Sequence, residues 1–156
     1  MHKRALDRSR NYKRDNRSPI PSSEIVSRVM SANKGKDTGP ELAFRRALWS
    51  KGMRGYRLHM RTIPGSPDIA YRKRKIAIFI NGCFWHRCPK CNLPLPKSNT
   101  EYWKDKFERN VLRDERKTND LRALGWKVIT IWECEITEDL QDAISRVEKA
   151  LESIEA

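Results

Sequence analysis

An α/β domain built on a mixed sheet flanked by helices is the fold class that this sequence predicts, and three observations predict it. Ile76-Ala77-Ile78-Phe79-Ile80 is an unbroken apolar run of strand length, the composition of a strand buried on both faces. Trp126 to Trp132 is a second buried strand, separated from the first by a long helical pattern. Turn-rich Ile63-Pro-Gly-Ser-Pro67 parts two further strand-like segments upstream. Helix, strand meander, helix, strand, helix is the order of a mixed sheet covered on both sides. At 156 residues the chain has the length of one domain.

Each element has a local reason. Residues 1 to 22 carry Lys3, Arg4, Arg8, Arg10, Lys13, Arg14 and Arg17 with hardly an apolar residue, so they are expected to form a mobile basic arm ended by Pro19 and Pro21. Residues 23 to 156 then form the single domain. A short helix from Ser22 or Ser23 carries Ile25, Val26, Val29 and Met30 on one side. Thr38-Gly-Pro-Glu41 is a capping box with proline in the first turn, and it opens a helix from Gly39 to Lys51 ended at Gly52. Strands are expected at Tyr56 to Met60, Asp68 to Arg72 and Ile76 to Ile80. Ser98-x-x-Glu101 reads as another capping box, starting a helix with Trp103, Phe107, Val111, Leu121 and Leu124 inward and Gly125 as its stop. After the strand ending at Trp132, Thr137 is expected to cap a last helix with Leu140, Ala143, Ile144, Val147, Leu151 and Ile154 on one face.

Charge narrows the function. Lys and Arg number 33 against 20 Asp and Glu, a net of +13. From Glu133 onward there are eight acidic and two basic residues, so residues 1 to 132 carry +19. Between Ile69 and Thr100 there is no carboxylate at all, while Arg72, Lys73, Arg74, Lys75, Arg87, Lys90 and Lys97 fall there. Such an imbalance favours a polyphosphate backbone as partner, although Arg72 to Lys75 alone reads better as a solvated hairpin tip. No apolar run approaches the roughly 18 residues of a membrane span, and the basic N-terminus lacks the apolar core of a secretory signal. A soluble, cytoplasmic protein is expected.

In such a reducing compartment Cys83, Cys88 and Cys91, spaced C-x4-C-x2-C, with Cys134 beyond the last strand, favour Zn2+ over disulfides. Four thiolates leave no open coordination position, so this metal would be structural. The ligands hold Phe84-Trp85-His86 on a short hoop. The two aromatics either return to the core or stack on nucleic-acid bases, and the basic loop favours stacking. His86 is either an ordinary hydrogen-bonded histidine or a base that takes a proton from water near neutral pH. Asp68, after Pro67 at the head of a strand, is a carboxylate suited to Mg2+. The following strand has no second acidic residue, so either Asp68 is structural or the second metal contact is a backbone carbonyl.

Pro67-Asp68, Phe79-Ile80-Asn81-Gly82-Cys83-Phe84-Trp85-His86-Arg87-Cys88, Glu101-Tyr102-Trp103, Asn110-Val111, Arg113-Asp114, Leu124-Gly125-Trp126 and Trp132-Glu133-Cys134 together resemble the very-short-patch-repair (Vsr-type) DNA mismatch endonucleases. The resemblance spans about residues 25 to 150. It implies a restriction-endonuclease-like fold, structural zinc, and Mg2+-dependent nicking 5′ to the thymine of T·G mismatches left by deaminated 5-methylcytosine. It also implies a functional link to a cytosine-5 DNA methyltransferase. By position, Asp68 and the Ile80 carbonyl would contact Mg2+, and His86 would activate water. Cys83, Cys88, Cys91 and Cys134 would hold zinc, with Cys88 standing where better-described members have histidine. Phe84, Trp85 and Trp103 would enter the DNA stack, Met30 would wedge from the minor groove, and Glu41 matches an acidic residue near the site. Asn81 also replaces a histidine of the family. Arg87 and Lys90 are further candidates for DNA contact, and the protein is read as a monomer. The competing readings are a restriction endonuclease or nickase acting on matched DNA, and a zinc-stabilised DNA-binding module without catalysis.

Overall fold

A computed structural model describes residues 19–21, 23–32 and 35–153, so the basic arm expected over residues 1 to 22 lies almost wholly outside the described residues. The chain divides between residues 34 and 35 into two compact units. In the first, α1 (Glu24–Ala32) is amphipathic, with Ile25 and Val29 exposed and Met30 half-buried.

The second unit is a four-stranded mixed sheet flanked by helices. Its elements are α2 (Gly39–Ser50), β1 (Arg57–Leu58), β2 (Ile69–Tyr71), β3 (Ile76–Asn81), α3 (Thr100–Ala123), β4 (Lys127–Trp132), α4 (Glu133–Glu138) and α5 (Leu140–Glu152). Strand order follows the chain: β1 to β2 and β2 to β3 are antiparallel, β3 to β4 parallel. The parallel pair needs a crossover, and α3 supplies it. Side chains alternate across β3, so both its faces are covered. Ile76, Ile78 and Ile80 pack with Phe44 and Leu48 of α2, Ile136 of α4, and Ile144, Val147 and Leu151 of α5. Ala77 and Phe79 face Leu121 and Trp126 on the other side.

Capping explains where the helices differ from expectation. Thr38 caps α2 as expected, its hydroxyl accepting from the Glu41 N–H at 3.5 Å. Helix α3 instead begins after Asn99, whose backbone is left-handed and whose side chain makes no cap, while the Thr100 hydroxyl bonds back to the Pro96 carbonyl at 3.2 Å. Ser98 is therefore not the cap. Leu124 lies just past the helix end and is exposed, so it does not join the core. Thr137 sits inside the short α4, its hydroxyl on the Glu133 carbonyl at 2.9 Å. Asp139 caps α5 instead, accepting from the Asp142 N–H at 3.0 Å, and Ile154 lies outside the described residues.

The basic hairpin tip is structural. Arg74 donates to the Leu151 carbonyl at 2.9 Å and Lys75 to the Leu124 carbonyl at 3.2 Å. Two helix C-termini thus receive cations, where the helix dipole favours them. In the turn before β2, Gly65 has φ +76°, and a Cβ there would come within 2.9 Å of Lys117 on α3. That turn can lie against α3 only because Gly65 has no side chain.

Tyr71, nearly buried, donates its hydroxyl to the Met53 carbonyl at 2.9 Å. Burial, with a smaller contribution from neighbouring Tyr56, raises its pKa far above the ordinary value of about 10. The folded state therefore keeps this proton where the unfolded chain loses it, so stability is full below about pH 10 and falls as pH rises beyond it. Tyr71→Phe should flatten that alkaline loss while costing about 1 kcal/mol at pH 7 for the lost hydrogen bond. Denaturant melts at pH 7 and pH 11 check both parts.

Candidate active site and metal centre

Asp68 follows the fully buried Pro67 and precedes β2, so it stands beside β3 through the antiparallel pairing of Ile69 with Ile78. The Ile80 N–H donates to Asp68 Oδ2 at 2.8 Å. This places the carboxylate on the main chain of the residue expected to supply the second metal contact. Burial pushes the Asp68 carboxyl up from its usual range, and the charge of Glu41 adds to this. The Ile80 hydrogen bond and the charges of His59 and His86 oppose it. Hard oxygen donors on a partly open carboxylate suit Mg2+, which binds through one or two carboxylates and keeps several waters.

Glu41 is buried and its oxygens serve the start of α2. They accept from the Asp37 N–H at 2.8 Å and the Thr38 hydroxyl at 3.0 Å. Its charge, not a free oxygen, is what reaches Asp68. His86 lies in the loop after β3, with its N–H on the Gly82 carbonyl at 3.1 Å. Its Nδ1 hydrogen-bonds Asp114 Oδ2 on α3. Asp114 is suited to that role: burial alone would raise its carboxyl, but the His86 bond and the charges of His86, Lys117 and Arg113 hold it below the usual range. A carboxylate on Nδ1 fixes the proton there and leaves Nε2 as acceptor. Asn81 lines a small cleft with Phe79, Asp114, Lys117, Thr118 and Thr130.

Cys83, Cys88, Cys91 and Cys134 are all free thiols, and their four sulfurs lie within 4.8 Å of one another. Cys88 and Cys134 Sγ are 3.8 Å apart. That is too far for a disulfide, and it equals the sulfur separation of about 3.8 Å set by a tetrahedron with Zn–S near 2.3 Å. The Cys134 N–H donates to Cys83 Sγ at 3.4 Å, the kind of support that fixes a ligating thiolate. Burial pushes the Cys83 thiol up to about 11 and Cys134 higher still, with neighbouring thiols contributing. A bound divalent cation offsets that cost, and the cluster can hold zinc.

The aromatics of the hoop do not stand free. Phe84 meets Trp85 edge-on at 5.1 Å and Phe107 of α3 at 5.1 Å, while Trp85 lies 6.0 Å from Trp103. Trp103 is buried, and Phe84 and Trp85 are half-buried. Asn110 of α3 donates to the Trp85 carbonyl at 2.9 Å and fixes the hoop, and Lys106 Nζ sits 5.4 Å from the Trp103 ring. Arg87 stacks over Phe107 at 4.8 Å and bonds the Leu93 carbonyl, and Lys90 pairs with Glu138. Both cations named from sequence for DNA contact are thus engaged within the protein. Met30 belongs to the other unit.

Sequence reasoning missed His59 and gave Asp114 no role. The inward stripe of α3 offered a signal, because between the buried Phe107 and Leu121 it carries Asn110, Asp114, Lys117 and Thr118, all half-buried. Polar residues interrupting an apolar stripe mark a face that lines a cleft and does not fill a core.

Comparison with known proteins agrees with these features. Residues 21–93 match the family model described as DNA mismatch endonuclease Vsr. The type II nicking enzyme V.XorIIP of Xanthomonas oryzae pv. oryzae is 43% identical over 111 residues, 70% of this chain and 80% of that one. Type II nicking enzyme V.NaeI of Lentzea aerocolonigenes is 41% identical over 142 residues, 88% and 82% of the two chains. DNA mismatch endonuclease Vsr of Escherichia coli K12 is 35% identical over 108 residues, 69% of each. Relatives at this identity and coverage, together with the matching family model, place the chain in the Vsr family of DNA endonucleases.

Proposed function

We propose that this endonuclease is Mg2+-dependent and nicks one strand 5′ to the thymine of a T·G mismatch, the lesion left when 5-methylcytosine deaminates. The observation that carries this reading is the convergence of Asp68 on the Ile80 main chain with a His86 imidazole oriented by Asp114, beside an aromatic hoop. Mg2+, held by Asp68 and the Ile80 carbonyl, would supply charge neutralisation at the scissile phosphate and a more acidic water. His86 Nε2 takes the proton from the attacking water, and Asp114 stabilises the imidazolium that results. The water oxygen bonds to phosphorus as the bond to the 3′-oxygen breaks, and the departing 3′-oxygen takes a proton from solvent, leaving a 3′-hydroxyl and a 5′-phosphate. Asn81 donates a hydrogen bond to a phosphate oxygen without a proton to exchange.

Phe84, Trp85 and Trp103 sense the mismatch by entering a base step whose stacking is already weakened. Because the rings cover one another, that entry exchanges ring packing for base stacking, which a paired step resists more than a mismatched one. The sheet is read as restriction-endonuclease-like, and a cytosine-5 methyltransferase as the enzyme whose product creates the lesion. The relatives named as nicking enzymes support a single-strand cut. Family membership sets aside a binding module without catalysis.

Zinc is the structural metal. Metal analysis should find one zinc per chain, and chelation should lower Tm by roughly 5 to 10 °C, as a loss of about 2 to 3 kcal/mol does at this size. Proteolysis should then open the Cys83 to Cys91 hoop first. Zinc-free protein with an unchanged melt would refute this.

Trp85→Ala tests the mismatch reading. Discrimination of T·G from T·A duplexes should fall about tenfold, since base stacking on an aromatic contributes about 1 to 3 kcal/mol. Equal losses on both duplexes would assign Trp85 to packing, and equal nicking of both by the unmutated enzyme would refute the mismatch specificity.

A further inference from the structure

His59, one residue beyond β1, has φ +45°, a backbone region that non-glycine residues seldom occupy. Its N–H nevertheless donates to the Asp68 carbonyl at 3.1 Å, which fixes it opposite Asp68. The imidazole reaches between two carboxylates, with Nδ1 3.8 Å from Asp68 Oδ1 and Nε2 3.6 Å from Asp37 Oδ1. Asp37 is anchored in turn, accepting from Arg45 of α2 at 2.7 Å while its own N–H donates to Glu41 at 2.8 Å. A line of side chains, Arg45, Asp37, His59, Asp68, therefore runs from α2 to the carboxylate.

At these separations neither imidazole contact is a hydrogen bond, and the buried His59 Nε2 has no hydrogen-bond partner among the described residues. A left-handed backbone and a buried nitrogen short of a hydrogen bond at one residue are costs that folds retain chiefly at functional sites. Asp37, Glu41 and His59 do place ligand atoms within 4.8 Å of one another, a grouping that could itself hold a metal ion. Their oxygens, however, are already engaged with Arg45, the Asp37 N–H and the Thr38 hydroxyl, and a cation would have to displace these. A supporting role displaces nothing.

We propose that His59, anchored by Asp37 and Arg45, is a positioning residue that fixes the rotation of the Asp68 carboxylate, so that Oδ1 presents to the metal while Oδ2 stays on the Ile80 N–H. The imidazole acts as a wall and a through-space partner, and the inference rests on the reading of Asp68 as a Mg2+ ligand.

The test is single-turnover nicking of a strand-labelled T·G duplex across a Mg2+ titration, with Tm and metal-free DNA affinity measured alongside. Supports of metal ligands typically change metal affinity or activity by 10- to 100-fold. His59→Ala should raise the Mg2+ concentration for half-maximal nicking about tenfold, with DNA affinity unchanged. His59→Gln, which keeps a planar polar end of similar reach against Asp68 Oδ1, should recover most of that shift. Asp37→Asn should move the requirement the same way by less. An unshifted Mg2+ requirement in His59→Ala overturns the inference alone, and so does a shift that Gln fails to reverse while Tm falls equally in both variants. Absence of Mg2+-dependent nicking in the unmutated protein overturns the mismatch reading and this inference with it.

Discussion

Asp68→Ala should lower single-turnover nicking by about 10³-fold or more while leaving DNA affinity within about twofold. In the proposed mechanism charge neutralisation at the phosphate depends on this side chain, and losing one such electrostatic group costs about 10² to 10³ even where the others remain. Affinity is spared because Asp68 is an anion and contributes no phosphate contact. Asp68→Asn separates catalysis from folding. Its amide oxygen can still accept the Ile80 N–H bond now made at 2.8 Å, but it lacks the charge to hold Mg2+. The Asn variant should therefore melt close to the unmutated protein and still fail to nick. Fluorescence anisotropy for binding and a rapid-quench time course for cleavage read the two quantities independently, and retained nicking in Asp68→Asn would remove Asp68 from the mechanism.

The second large effect belongs to His86. His86→Ala should cost about 10²-fold or more, the range for loss of a positioned general base. Asp114→Asn should cost about 10- to 100-fold, because it no longer favours the tautomer with the proton on Nδ1. Acting through His86, Asp114 should add little once His86 is gone, so the double variant should nick no more slowly than His86→Ala. Multiplying losses would show that Asp114 works independently, and near-normal activity in His86→Ala would move the proton transfer elsewhere.

What the sequence disclosed was what depends on composition and short spacing. The apolar run of β3 fixes a strand with two covered faces because no polar residue interrupts it. The cysteines disclosed the four-thiol cluster that can hold zinc because sulfur spacing constrains the hoop, and Thr38 disclosed α2 because its partner Glu41 lies one turn away. Asp114 and His59 stayed hidden because their meaning lies in contacts made across the fold. Asp114 is 28 residues from His86, and on α3 it reads as one charge among many. His59 gains its place only when β1 pairs with β2, which brings it opposite Asp68. The start of α3 was misplaced for a local reason: Ser98-x-x-Glu101 has the right letters, yet the left-handed turn at Asn99 starts the helix later. Arg87 and Lys90 show the limit of charge counting, because a cation's partner, here Phe107 with Leu93 and then Glu138, is set by tertiary structure.

The most direct test of the central claim is to map the nick. Duplexes identical except for one T·G, T·A or C·G pair, each strand labelled in turn, are incubated with the zinc-loaded protein with and without Mg2+. The account predicts a single cut on the thymine strand, on the 5′ side of that thymine, leaving a 3′-hydroxyl and a 5′-phosphate. It predicts this only in the T·G duplex and only with Mg2+. Cutting of both strands, equal cutting of the paired duplexes, or cutting that persists without a divalent metal would contradict it.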